Sequence, residues 1–148
     1  MGMVYSYSER QFLIYSFIKR VGPSPEDCLE TLFGLQTAKA LYKLKQSGYL
    51  RFIKIRNIEF WLLPDNGYFD PLKQETLAWF AVRLEQAEGK YKKEYGISPK
   101  GNKFMFTYSP GQIHITDEVN RKFVARLEDL RRFPFKECLK WEKHAKTP

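Results

Sequence analysis

The sequence predicts an α+β protein, on the basis of three observations. Apolar residues recur at helical spacing in two separate parts of the chain, after Ser8 and again after Pro71. Apolar and polar residues alternate at 103–109 and 112–116 around Pro110-Gly111, which predicts a β-hairpin. A composition of 43% hydrophobic and 16% aromatic residues over 148 positions is sufficient for a packed core. The chain is therefore expected to combine helices with small antiparallel sheets.

Two helices separated by a tight break are predicted near the N-terminus, after a first helix that begins at Ser8. The earlier of the two covers 25–32, with Ser24 as N-cap and Pro25 at the first helical position. Gly34 is expected to end it by adopting the left-handed conformation. The later helix covers 36–47 and stops at Gly48.

A β-hairpin is predicted directly after these helices. Two apolar runs with strand character, 49–55 and 58–63, are joined by a short turn at Arg56-Asn57. Helix, turn, helix and hairpin in this order form a winged helix-turn-helix, the layout that places a helix in a DNA groove. We therefore predict an N-terminal winged helix-turn-helix domain over residues 1–70.

Basic residues are concentrated between positions 36 and 56, where no acidic residue occurs. On the helix 36–47, Ala38, Leu41 and Tyr42 are expected to face the core, so that the opposite side faces DNA. Lysines neutralise phosphates, glutamine can bind adenine bidentately, and a small residue allows close approach to bases. The predicted DNA-binding residues are Gln36, Thr37, Lys39, Ala40, Lys43, Arg51, Lys54, Arg56 and Asn57. The alternative is a helix whose lysines form only a solvated face, and the basic hairpin that follows argues against it.

The overall charge also favours an anionic partner. The chain has a net charge of +8 and a pI of about 9.5, which favours nucleic acid first and a membrane surface second. Residues 72–148 carry 16 basic and 10 acidic side chains, against 9 and 7 in residues 1–71. Two isolated cysteines, no long apolar run and no signal-peptide pattern predict a cytoplasmic protein without a membrane segment. We expect double-stranded DNA as partner and neither cofactor nor metal.

The second half, 71–148, is predicted to form a small α+β unit of a helix, a β-hairpin and further helices. The helix 72–88 precedes the hairpin. Asp117 is expected to cap a helix over 118–130, and a last helix covers 135–145. A homodimer is expected because DNA sites are commonly read with two-fold symmetry, and the helices 72–88 and 118–130 are candidate interfaces.

The segment 37–67 carries a family resemblance. After the helix come Gly48-Tyr49-Leu50, a short wing, Phe60-Trp61-Leu62-Leu63 and Asn66-Gly67. This run resembles the winged-helix proteins carried by plasmids and integrative elements. In outline the chain is similar to the replication-relaxation group, in which a winged helix precedes an α/β domain resembling a degenerate restriction-nuclease fold. The resemblance implies a DNA-binding protein of a mobile element that acts in replication or transcription control.

Catalytic sites are not indicated. A restriction-type nuclease needs carboxylates and a Glu/Asp-x-Lys on adjacent strands, whereas the hairpin 103–116 carries no carboxylate before Asp117 and Glu118. His114 lies between two isoleucines of a predicted strand, without an adjacent nucleophile or partner carboxylate, and His144 lies in the basic tail. We therefore predict a non-enzymatic DNA-binding regulator. The alternative is a winged-helix adaptor that binds an acidic protein partner.

Overall fold

A computed structural model describes residues 7–142 as a mixed α+β fold. The described elements are α1 (Tyr7–Val21), β1 (Ser24–Pro25), α2 (Glu26–Phe33), α3 (Thr37–Gln46), β2 (Arg51–Ile55), β3 (Ile58–Leu62), α4 (Pro71–Gln86), β4 (Lys90–Tyr91), β5 (Tyr95–Ile97), β6 (Lys103–Ser109), β7 (Gln112–Thr116), β8 (Lys122–Arg126), α5 (Leu127–Leu130), α6 (Phe135–Cys138) and β9 (Lys140–Trp141). The strands form two antiparallel sheets, one of three strands and one of six. Among the described residues, no helix is both long enough and apolar enough to cross a membrane.

The N-terminal part contains α1, α2, α3 and the three-stranded sheet, whose strand order is β1-β3-β2. The predicted hairpin is present, because Arg56 and Asn57 have φ of 51° and 68° and close a two-residue turn between β2 and β3. β1 adds a short edge in which Ser24 pairs with Trp61. The three helices and the hairpin therefore pack around one shared core.

The start of α2 differs from the prediction. The helix begins at Glu26, and Pro25 rather than Ser24 is its N-cap residue. The prediction of Ser24 as N-cap is wrong because Ser24 is extended and paired in β1, and its hydroxyl donates to the Gly22 carbonyl over 2.8 Å. The predicted end of α2 at Gly34 is confirmed in position, but with a φ of 90° and a ψ of −168° this glycine is not in the predicted left-handed helical conformation.

Helix α4 lies at the centre of the molecule. It begins at Pro71, next to the predicted start at 72, and Asp70 is its N-cap, whose carboxylate accepts the Leu72 N–H over 3.1 Å. Its buried residues lie on all sides of the helix because α1, α2 and β1 pack on one side and the six-stranded sheet packs on the other. The predicted use of 72–88 as a dimer interface is wrong for this helix, since most of its surface already lies in the core.

The six-stranded sheet is a meander in the order β4-β5-β6-β7-β8-β9. Its central hairpin has the predicted bounds, with Gly111 at a φ of 73° in the turn. One face packs on α4 through the buried side chains of Phe104, Phe106, Ile113, Ile115 and Ala125. The ring of Phe80 on α4 is fully buried and lies 5.1 Å from that of Phe106. This packing makes the sheet a second layer over α4.

The predicted helix over 118–130 is wrong. The Asp117 carboxylate accepts the N–H groups of Val119 and Arg121, which closes a turn instead of opening a helix. Asn120 has a φ of 65°, a value that no α-helix contains, and the chain then enters β8. Only the single turn of α5 is helical, so this segment does not offer the predicted helical dimer interface.

The predicted helix over 135–145 is also largely wrong. Its helical part is the single turn α6, after which Lys140–Trp141 forms β9 and pairs with β8. Trp141 was expected to face inward, but its side chain is 59% exposed at the edge of the sheet. His144 lies outside the described residues.

Candidate nucleic-acid interface

Helix α3 presents one apolar side to the core. Thr37, Ala40, Leu41 and Leu44 are buried and recur at the spacing of one helix face. They pack mainly against α1 and α2. These buried side chains therefore hold α3 against α1 and α2, and the opposite side of the helix remains exposed.

Two predicted DNA-binding residues are consequently misplaced. Thr37 and Ala40 are fully buried, so they do not reach a ligand on the exposed side. The Thr37 hydroxyl donates to the Gly34 carbonyl over 2.6 Å and secures the turn between α2 and α3. The prediction placed Ala38 and Tyr42 inside, but both are exposed, because the true buried set begins one residue earlier. Threonine and alanine are compatible with buried and exposed positions alike, so the sequence did not determine which side of the helix faces the core.

The exposed side of α3 carries a stripe that mixes cations with one aromatic ring. Lys39, Tyr42 and Lys43 are exposed and separated by three and one positions, so they lie on one side of the helix. The Tyr42 side chain is 58% exposed. Gln36 is exposed just before the first turn, and no acidic residue lies within α3. We call Lys39, Tyr42 and Lys43 the α3 stripe.

The tip of the β2–β3 hairpin is exposed as well. Lys54, Arg56 and Asn57, which are predicted to contact phosphates or the minor groove, are all exposed. Lys54 pairs across the hairpin with Glu59, however, so this pair contributes little net charge. The cationic character of the wing therefore depends mainly on Arg56.

Arg51 has a different position from the one expected of a phosphate ligand. Its Nε donates to the Pro64 carbonyl over 3.1 Å, and a terminal nitrogen donates to the Asn66 carbonyl over 2.6 Å. Asn66 in turn accepts the Leu63 N–H through its side chain. Arg51 is thus used to hold the segment that leaves β3, which leaves fewer of its donors for a ligand.

An acidic cleft lies on one side of the wing. It is about 400 Å³ in volume and is lined by Pro25, Glu26, Asp27, Asn57, Ile58, Glu59, Glu75, Trp79 and Arg131. Glu26 accepts the Trp61 indole N–H over 2.8 Å, and Glu75 accepts two N–H groups of Arg131 at 2.8 and 2.6 Å. Four carboxylates facing one guanidinium disfavour a polyanion here. A nucleic acid on the wing is therefore expected to keep to the side away from this cleft.

His114 has partners that sequence reasoning missed. Its Nε2 lies 2.7 Å from the Ser109 hydroxyl, and its Nδ1 lies 3.3 Å from a Glu142 carboxylate oxygen. Hydroxyl, imidazole and carboxylate follow one another here in the order of a catalytic triad, in which they act as nucleophile, general base and the group that orients the base. Acyl transfer also needs donors for an oxyanion, yet Pro110 has no N–H and the Gly111 N–H already donates to the Tyr108 hydroxyl. We interpret the three side chains as a hydrogen-bonded chain on the sheet surface, in which Glu142 lies 28 residues after His114 and could not be placed beside it from the sequence.

Metal and thiol chemistry find little support in the described part of the chain. No group of three or more His, Cys, Asp or Glu residues there is arranged to hold a metal ion. Cys28 and Cys138 are free and buried. Burial raises the pKa of the Cys28 thiol well above its usual range and that of Cys138 to about 11. Both side chains therefore remain neutral thiols that pack in the core.

Comparisons with known proteins add no relative. No family model, no curated protein and no solved structure matches this chain. A functional interpretation therefore depends on the exposed charges of α3, the wing and the sheet.

Proposed function

We propose that the N-terminal part, within residues 1–70, is a winged helix-turn-helix that binds double-stranded DNA. Its elements follow the order α1-β1-α2-α3-β2-β3, and the hairpin comes directly after α3. Proteins with this order place the second helix of the pair in the major groove and the wing on the adjacent backbone. The observation that carries the proposal is the α3 stripe, an exposed cationic surface on a helix whose opposite side is buried.

The proposed contacts follow from the exposed side chains. Lys39 and Lys43 bind phosphates at the edge of the groove, where they displace condensed counterions. Gln36, exposed before the first turn of α3, is in position to bind a base edge, and Arg56 at the wing tip binds the neighbouring backbone. Rigid packing of α3 against α1 reduces the entropy lost on binding.

The biological role in the proposal comes from the family resemblance. Winged-helix proteins of plasmids and integrative elements imply a regulator of replication or transcription, acting without enzymatic chemistry. A homodimer in the cytoplasm remains part of this proposal because paired half-sites are usually read by two copies. Sedimentation at micromolar protein concentration tests the dimer directly. If the protein is monomeric both with and without duplex DNA, the homodimer is no longer part of the proposal.

The test is a salt titration of binding to a random-sequence duplex, measured by fluorescence polarisation. We expect a dissociation constant of roughly 10⁻⁶ to 10⁻⁴ M that weakens steeply with salt, because each phosphate contact contributes about 0.9 to the slope of log K against log salt. The double variant Lys39→Gln, Lys43→Gln is expected to lower this slope by about 2 while leaving the melting curve unchanged. Glutamine keeps most of the side-chain length, so lost charge is the only large change.

A matched control removes the same charge elsewhere. Lys19 on α1 and Lys136 on α6 are exposed and lie outside the α3 stripe and the wing. The double variant Lys19→Gln, Lys136→Gln should retain the wild-type slope. If both double variants lower the slope equally, binding is a general response to net charge and α3 is not the recognition helix. If the wild type does not bind duplex DNA even at low salt, an adaptor with an acidic protein partner becomes the leading interpretation.

A further inference from the structure

Within residues 7–142, no helix packs on the face of the six-stranded sheet opposite to α4 as α4 packs on the inner face. Alternation along the strands and the pairing register place Tyr95, Met105, His114 and Val124 on this outer face. Met105 is 51% exposed in the middle of it. We call this surface the open sheet face. A meander of this width with one face buried and the other accessible provides a flat platform for a ligand.

Cations border the open sheet face. The register places five exposed basic side chains on it, namely Lys90, Lys103, Lys122, Arg126 and Lys140. The strands also bring one carboxylate to this face, that of Glu142, and it is 3.3 Å from His114. A polyanion on this face therefore meets an excess of positive charge.

The cations are separated by a strip of mostly uncharged side chains, in which His114 contacts the Glu142 carboxylate. Lys103 lies on β6 near one end of the strip, whereas Lys122 and Arg126 lie on β8, two strands and roughly 10 Å away. The strip lies between Lys90 on β4 and these β8 cations, and it carries Tyr95 on β5, Met105 on β6 and threonine side chains of β6 and β7. The Lys103 ammonium lies over the Tyr95 ring, 4.6 Å from its centre, so a cation and an aromatic ring are in contact on this face.

We propose that the open sheet face binds single-stranded nucleic acid. Phosphates of an extended strand lie along the cationic borders, and its unpaired bases rest on the strip between them, with Tyr95 as the stacking ring. A duplex fits this surface less well because its bases are enclosed, and a flat face reaches only its phosphates. This inference goes beyond the proposed function, since it needs neither α3 nor the wing.

The experiment uses the full chain with a fluorescein-labelled oligothymidylate of about 20 nucleotides and a duplex of similar length. The triple variant Lys122→Gln, Arg126→Gln, Lys140→Gln is expected to weaken oligothymidylate binding at least about tenfold and to lower its salt slope by about 2. Its duplex binding should change by less than about twofold, if the α3 stripe carries that activity.

Two controls are needed. The first distinguishes the charges of the open sheet face from the net charge of the protein, and the second distinguishes ring stacking from side-chain size. The triple variant Lys92→Gln, Arg132→Gln, Lys136→Gln removes three exposed charges outside the strip and should leave oligothymidylate binding nearly unchanged. Tyr95→Ala should weaken it about fivefold or more, whereas Tyr95→Phe, which keeps the ring, should not. Circular dichroism melts confirm that each variant is folded.

The outcomes distinguish this inference from the proposed function. The variant Lys39→Gln, Lys43→Gln should lose duplex binding and keep oligothymidylate binding, and the Lys122, Arg126 and Lys140 variant should do the reverse. Failure of the wild type to bind oligothymidylate at low salt would overturn the inference without affecting the duplex proposal. Equal losses in the two charge-removing triple variants would also overturn it, as would a loss confined to duplex binding.

Discussion

Replacing Ala40 and Ala38 of α3 separately by glutamate tests which side of this helix faces the core. The two positions are about 200° apart around the helix axis, so the substitutions point in nearly opposite directions. Ala40 is fully buried and Ala38 is exposed. Because the substitutions have the same chemistry, any difference between them reports the environment of each position.

The magnitude follows from the burial of Ala40. Inserting a longer side chain into packed core costs about 1–3 kcal/mol, and desolvating an unpaired carboxylate adds several more. We expect Ala40→Glu to lower the free energy of unfolding by at least about 4 kcal/mol, a large part of the 5–15 kcal/mol typical of a domain. At roughly 2–4 °C per kcal/mol for a chain of this size, the melting temperature falls by about 10 °C or more. Ala38→Glu should stay within about 0.5 kcal/mol of the wild type.

The assay combines melting with DNA binding. Ala38→Glu places a carboxylate next to Lys39 and is expected to weaken duplex binding several-fold while the protein remains folded. Ala38→Gln is the neutral control and should bind like the wild type. The assigned orientation of α3 is refuted if Ala38→Glu destabilises the fold as strongly as Ala40→Glu. It is also refuted if Ala40→Glu melts like the wild type and loses only DNA binding.

Two further predictions concern stability. Phe80→Ala removes a fully buried ring that contacts four other aromatic rings, so urea titration should show that the free energy of unfolding falls by about 3–5 kcal/mol. Phe12 is 68% exposed, so Phe12→Ala should change the free energy of unfolding little. Burial raises the pKa of Cys138 to about 11 and that of Tyr91 to about 12, and the pKa of Cys28 rises as well. The folded state retains these protons longer than the unfolded chain, so stability should be full below about pH 9 and decrease as the pH rises towards 11. Chemical denaturation at pH 8, 9.5 and 10.5 measures this, and constant stability over that range would contradict the assignment.

Local signals explain which elements could be predicted from the sequence. The hairpin of β6 and β7 has the predicted bounds because Pro110-Gly111 determines its turn within four residues. β8 could not be recognised in this way, since Phe123 and Leu127 also fit a helical period. The deciding features were the turn closed by the Asp117 carboxylate and the pairing of β8 with β7.

Short strands were missed because their pairing is set by distant residues. β4 and β5 contain only two and three residues, with Gly96 in the middle of β5, so the sequence does not mark them as strands. Two glycines here show how closely the neighbouring residues pack. A Cβ on Gly96 would lie 2.3 Å from the Phe104 ring, and one on Gly89 would lie 2.6 Å from the Ile97 carbonyl oxygen. The open sheet face depends on this pairing register, so its arrangement of cations could not be read along the chain.

The candidate site was predicted in part. The exposed positions of Lys39 and Lys43 agree with the prediction, because lysines seldom enter a core whichever phase the helix adopts. Thr37 and Ala40 were misassigned because small residues are compatible with either side of a helix. Arg51 was misjudged for a different reason, since its carbonyl partners at 64 and 66 follow from the path of the chain after β3.

The burial of α4 bears on whether the N-terminal part folds independently. Gln74 of α4 donates to the carbonyls of Val21 and Pro23, and α2 packs along the helix. On the other side, the buried Arg83 guanidinium donates to the Leu130 carbonyl over 2.6 Å. The described hydrophobic core is one continuous cluster that runs through α4. Removing α4 therefore exposes the apolar side of α2 as well as the inner face of the sheet.

A fragment of residues 1–70 is consequently expected to lack a cooperative melting transition, although its boundary matches the division predicted from sequence. A fragment of residues 1–88, which retains α4, should recover helical signal but expose the side of α4 that normally contacts the sheet, and therefore aggregate more readily. The full chain should unfold in a single transition because both parts share this helix. Dispersed amide resonances and a cooperative melt from 1–70 alone would show that α4 belongs to the C-terminal part only. In that case the N-terminal part would be an independent domain, and the variants that test duplex binding could be studied in the fragment without the open sheet face.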